Sequence, residues 1–99
     1  MVGNIYSLIH HELQYYLYRC DPVVVENNAA MAFEIPKRTR VRLSIFDTLG
    51  IEIMVIVDKV LDAGFFEVHV DFSELPPGKY IYKLAAGRYF DEKNLFVIR

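Results

Sequence analysis

The chain has 99 residues, of which 54% are hydrophobic and 14% aromatic, and its net charge is −2. That length and apolar content make one domain with a packed core and exclude disorder. The near-neutral charge removes any bulk electrostatic drive toward nucleic acid or membrane, and a single cysteine, Cys20, excludes a disulfide-stapled fold.

In chain order, Ile5, Leu8, Ile9, Leu13, Tyr16 and Leu17 recur at spacings of three and four. That is the stripe of an amphipathic helix over 4–19. Asn4 is placed to cap it, and Asp21-Pro22 to end it. A strand over Gln14–Arg19 competes, because Tyr15, Tyr16 and Tyr18 favour sheets. No basic region precedes an apolar run, and His10-His11-Glu12 interrupts that run, so no signal peptide is expected. The longest apolar runs fall far short of the about 20 residues of a membrane span. The chain divides into an N-terminal extension, 1–22, and a β domain, 23–99.

Val23-Val24-Val25 is a short β-branched run, and Asn27-Asn28 marks a turn. In the next strand Met31, Phe33 and Ile35 point inward and Glu34 outward, until Pro36 stops it. After the Lys37-Arg38-Thr39 loop, Val41, Leu43 and Ile45 alternate with Arg40, Arg42 and Ser44, the period of a half-buried strand. Asp47-Thr48-Leu49-Gly50 supplies a turn. The strand Glu52–Val57 is apolar on both faces, with Ile53, Val55 and Val57 on one and Met54 and Ile56 on the other. A strand of an antiparallel sheet commonly shows water one face, so the Met54/Ile56 face is expected against the N-terminal helix or a partner chain.

Asp62-Ala63-Gly64 turns the chain into a strand where Phe66, Val68, Val70 and Phe72 alternate with Glu67, His69 and Asp71. Leu75-Pro76-Pro77-Gly78 is a rigid corner before Lys79–Ala85, in which Tyr80, Tyr82 and Leu84 share a face. Ala86-Gly87-Arg88 makes a hairpin to the last strand, Tyr89–Ile98. About seven short strands with turns roughly every ten residues predict an all-β, immunoglobulin/fibronectin-like antiparallel β-sandwich with a short N-terminal helix.

The chemistry-bearing residues read as scaffold or surface. Neighbours in His10-His11-Glu12 point about 100° apart on a helix, so they do not face one ion. His69 lies between Glu67 and Asp71 on one strand face, about 6.7 Å from each, with too few ligands for a metal site. Lys37, Arg38, Arg40 and Arg42 form a basic stripe, read as a solvated sheet face paired with acidic neighbours because no aromatic stacking platform is interleaved with it. Cys20 reads as a small buried hydrophobe. Ser7, Ser44 and Ser73 sit in no nucleophile turn, and the five glycines make no phosphate-cradling loop. The sequence therefore predicts no enzymatic activity and no cofactor.

Three patches carry a family likeness: Phe33-Glu34-Ile35-Pro36 with Val41–Phe46; Ile45 through Ile53; and Leu75 through Leu84 followed by Lys93 through Arg99. On these, residues 30–99 resemble the C-terminal sorting domain (type A) of the type IX secretion system and the related immunoglobulin-like domain of flagellar hook-capping proteins. The family's Pro-Asn-Pro segment is replaced by Glu26-Asn27-Asn28-Ala29, and Ile51 stands where a basic residue is usual. The resemblance implies a non-catalytic domain read by an outer-membrane translocon, at the cell surface or secreted when it belongs to a larger cargo. If Met1 is the true start, a cytoplasmic chain is expected instead. It also implies structural roles for Asp47, Gly50, Gly78 and Tyr80, and partner recognition by Lys93 and Arg99 on the terminal strand. The alternative expectation is a stand-alone assembly protein that self-associates through residues 4–19 and the Met54/Ile56 face. A protein partner is expected in either case, and nucleic acid in neither.

Overall fold

In the computed structural model, residues 12–20 and 24–98 are described. They hold eight strands: β1 (Tyr16–Leu17), β2 (Val24–Val25), β3 (Asn28–Ile35), β4 (Thr39–Phe46), β5 (Glu52–Leu61), β6 (Gly64–Asp71), β7 (Gly78–Ala86) and β8 (Tyr89–Val97). One sheet has the order β1-β3-β6 and the other β2-β8-β7-β4-β5. Every pairing is antiparallel except β2 with β8, which is parallel.

The alternating residues explain the layering. Met31, Phe33 and Ile35 of β3 face Val41, Leu43 and Ile45 of β4 and Tyr82 and Leu84 of β7, all buried in one core. At about 25 cal/mol per Å² of apolar surface removed from water, these side chains supply the main drive to fold. Only β4–β5 and β7–β8 are hairpins within a sheet; β3–β4, β5–β6 and β6–β7 cross between sheets. The architecture is thus a β-sandwich.

The N-terminal expectation needs correction. Of the helix predicted over 4–19, residues 4–11 lie outside the described residues, while 12–19 hold no helix and contain β1, as the competing strand reading has it over part of its length. Tertiary bonds decide it. Tyr16 and Leu17 pair with Glu34 and Phe33 on β3. The Tyr18 amide donates to the Ala32 carbonyl at 3.0 Å. The Cys20 amide donates to the Tyr82 hydroxyl at 2.7 Å, and that hydroxyl donates to the Tyr18 carbonyl at 3.0 Å. Leu17 and Cys20 are buried in the core. Helical periodicity is a local preference that such long-range pairing overrides.

This segment also explains Glu34. Its side chain leaves the core face, as the alternation requires, yet it is only 1% exposed. The Tyr18 hydroxyl donates to Oε2 at 2.7 Å and the Gln14 amide to Oε1 at 3.1 Å. Tyr18 stands edge-on to Tyr16 and Phe65, with ring centres 4.6 and 5.6 Å away. A buried carboxylate held by two donors is the arrangement that makes such burial tolerable.

Candidate functional site

The β4–β5 turn is built around Asp47. Its carboxylate accepts the Leu49 and Ile51 amides at 2.9 and 3.0 Å, and its carbonyl accepts the Gly50 amide at 3.1 Å. Gly50 sits at φ +83°, where a side chain is disfavoured. Held this way, the turn presents Leu49 at 83% and Ile51 at 57% exposure; Ile53 at 39% and Val55 at 46% follow on β5. These four aliphatic residues, at every second position, form a stripe that runs from the turn onto a strand with no partner on its outer side among the described residues. Exposed aliphatic surface beside a strand edge is the kind of surface to which a further strand can add.

Two register shifts between β4 and β5 set which side chains point out. Leu43 pairs with Val57 and Ser44 with Val55, skipping Ile56; Ile45 pairs with Met54 and Phe46 with Glu52, skipping Ile53. Each extra residue breaks the simple alternation. Ile53 to Ile56 still alternate, with Ile53 and Val55 facing solvent and Met54 and Ile56 packed against the core, and the extra residue at Ile56 lets Val57 pack against the core as well. Between the free margins of β5 and β6 lies a groove of about 490 Å³ whose apolar walls include Phe33, Ile56, Val57, Leu61 and Phe66.

Beyond Val57 the edge becomes charged. Arg40 donates from Nε and Nη2 to one oxygen of Asp58, and Arg42 bridges the other Asp58 oxygen at 2.6 Å and Glu52 at 2.5 Å. Hydrogen bonds from Arg42 and Ser44 lower the pKa of Glu52, and the hydrogen bond from Arg40, together with the charges of Arg40 and Arg42, lowers that of Asp58, in each case against an opposing effect of burial. The expected pairing of the basic stripe with acidic neighbours thus holds for Arg40 and Arg42. Arg38 pairs with Asp62 at 2.6 Å.

The other sequence candidates fall elsewhere. Lys93 on β8 approaches Asp91 at 3.8 Å and lines a shallow cleft with Arg19, Asn94 and Phe96. β7 pairs along all of β8, whereas β2 lies on its other side at Phe96 and Val97 alone, so among the described residues Tyr89 to Leu95 form a margin of the sheet. Arg99 lies outside the described residues. Lys93 and the Met54/Ile56 pair stand on opposite margins of the five-stranded sheet, so the structure does not bring them together. Gly78 opens β7, and the Tyr80 hydroxyl donates to the Pro76 carbonyl at 2.5 Å, bracing the corner. Among the described residues no three His, Cys, Asp or Glu side chains are grouped to hold an ion, and His69 is exposed beside Glu67 at 3.7 Å. No described helix is long and apolar enough to cross a membrane.

At the end of the sandwich away from the Asp47 turn, the β3–β4 loop meets the β7–β8 hairpin and the segment before β1. Lys37, Arg38, Arg88, Tyr15 and Tyr89 line a cleft of about 710 Å³ there. The two tyrosine rings stack at 5.3 Å and 14°. Sequence reasoning missed both surfaces. The alternating aliphatic residues Leu49, Ile51, Ile53 and Val55 were a usable signal for the first. The second joins positions 15, 37 and 89, which no local pattern links.

No family model and no curated protein matches the chain. Among solved structures, it is similar to the alkylpurine DNA glycosylase AlkC of Pseudomonas fluorescens bound to DNA containing an abasic site analog, with a TM-score of 0.50 and 15% identity. The match covers 94% of this chain and 32% of the glycosylase, so the chain spans about a third of that protein's length. It corrects the expectation of no enzymatic activity. This fold forms part of an enzyme, and missing catalytic motifs in one sandwich do not exclude the fold from enzymes.

Proposed function

We propose that this chain is an immunoglobulin-like recognition module of the secretion-sorting type, which takes up an extended segment of a partner protein along β5. The observation that carries the reading is the exposed stripe Leu49, Ile51, Ile53 and Val55 on a free strand edge. An added strand would satisfy the outward backbone groups of β5 and cover the stripe, the usual chemistry of strand addition. The likeness of residues 30–99 to sorting domains and the Tyr80 corner support the family side of the reading. Its place would be a secreted or surface-attached chain.

The test is to attach the full chain to the C-terminus of a reporter that carries a signal peptide, in a bacterium with a type IX secretion system. The reporter should reach the surface or medium, and Ile53→Lys with Val55→Lys should retain it in the periplasm with the melting curve preserved. A wild-type fusion that stays periplasmic overturns the reading. A wild-type dimer in sedimentation that the same substitutions convert to monomer would identify the occupant as a second copy, the self-association alternative.

A second reading follows from the glycosylase match: the sandwich would be a DNA-contacting part of a larger enzyme. Its test is direct binding of labelled DNA by the purified chain. Absence of binding at low salt refutes it.

A further inference from the structure

We infer that the cleft lined by Tyr15, Lys37, Arg38, Arg88 and Tyr89 is a binding site for a single nucleic-acid strand. The sequence argued against such a site because no aromatic platform is interleaved with the basic residues. The fold supplies that platform from two distant places, Tyr15 ahead of β1 and Tyr89 at the start of β8.

Charge accounts for the phosphate side. Of the 11 Lys and Arg residues, Arg40 and Arg42 are neutralised by Asp58 and Glu52, and exposed Arg38 shares one contact with Asp62. Lys37 and Arg88 form no ion pair among the described residues, and both are exposed. Asp91 accepts the Tyr89 hydroxyl at 3.3 Å and is itself approached by Lys93 at 3.8 Å, so three cations against Asp62 leave this end a local excess of positive charge on a chain whose net charge is −2. A flexible strand brings phosphates and unstacked bases together, which is what a basic rim beside stacked aromatic rings binds; in a duplex the base faces are hidden. The cleft volume lies within the range of about 300–1,000 Å³ usual for ligand sites. Gly87 keeps the cleft floor low: it sits at φ +60°, and a Cβ there would lie 3.1 Å from Thr39 Oγ1.

The site deepens the DNA reading above and is independent of the β5 stripe, which lies at the other end of the sandwich. The experiment is fluorescence anisotropy of the full chain with a labelled mixed-sequence 20-nucleotide single strand, and with its duplex, across salt concentrations. Three phosphate contacts give a slope of log K against log salt of about −2, so affinity should fall roughly 20-fold between 50 and 200 mM salt. Lys37→Glu with Arg88→Glu should weaken binding about tenfold or more and flatten the slope by more than half. Lys79→Glu, a single reversal at the opposite end, should have far less effect than Lys37→Glu alone. Tyr15→Leu, with its melting curve checked, should weaken binding about fivefold without changing the slope.

Binding that survives the paired reversal, or that falls equally with Lys79→Glu, overturns the cleft and leaves the DNA reading standing. A duplex bound as tightly as the single strand overturns the assignment to single strands. No binding at 50 mM salt removes both the cleft and the DNA reading.

Discussion

Tyr82→Phe removes one oxygen that joins the segment before β2 to the five-stranded sheet. The hydroxyl is buried, accepts the Cys20 amide at 2.7 Å and donates to the Tyr18 carbonyl at 3.0 Å. A net hydrogen bond contributes about 1 kcal/mol, and a buried group deprived of its partner costs about 1–3 kcal/mol, so the substitution should cost about 2–4 kcal/mol. For a chain of this size that is a fall in Tm of about 10–20 °C. Urea unfolding followed by circular dichroism measures it, and hydrogen exchange at the Tyr18 and Cys20 amides shows where protection is lost. A Tm within about 2 °C of the parent, with exchange unchanged, would refute the role assigned to this hydroxyl.

The same group gives an alkaline signature. Burial pushes the Tyr82 pKa up to about 12 from an ordinary 10.0. Between those values the unfolded chain has lost the proton and the folded chain keeps it, so stability is full below pH 10 and falls as pH rises toward 12. The loss across that window is about 2–3 kcal/mol in the parent and absent from the Tyr82→Phe variant. Equal alkaline slopes in the two proteins would assign the effect to other groups.

Asp47→Ala removes the acceptor of two turn amides and should cost about 1–2 kcal/mol, read in urea; an unchanged midpoint would mean that Gly50 and the hairpin hold the turn unaided. Glu52 and Asp58 titrate below their ordinary 4.5 and 3.8, so their contribution to stability is present above those values and lost as pH falls through the lowered ones. Tm measured from pH 6 to pH 2 should decline in that range, and the decline should shrink in Arg42→Met. Gly87→Ala meets both the positive φ and the 3.1 Å contact with Thr39, so it should destabilise by about 1–3 kcal/mol in the same urea assay.

The strands were legible because their core faces alternate at period two. Val41-Arg42-Leu43-Ser44-Ile45 and Tyr80-Ile81-Tyr82-Lys83-Leu84 each say inside and outside without outside help. The segment Gln14–Cys20 was left between helix and strand, since its state is set by Tyr82, Ala32 and Glu34, between 14 and 64 positions away. The outward face of β5 was misread for a different reason. Ile53 to Ile56 alternate as read, but both sets are apolar, so nothing in Glu52–Val57 marks which set faces the core. The acidic partners expected for the basic stripe are present for Arg38, Arg40 and Arg42, but the aromatic neighbours of its loop come from both ends of the chain.

The lone cysteine gives the molecule a built-in clock. Cys20 is 1% exposed, its amide is held by Tyr82, and its Sγ lies 3.5 Å from the Ala30 carbonyl, in the segment that closes one side of the sandwich. A thiol reagent reaches that sulfur only when the segment lifts. The rate of modification in the unaltered protein therefore counts those openings directly. It needs no engineered label, because no second thiol exists to confuse the signal.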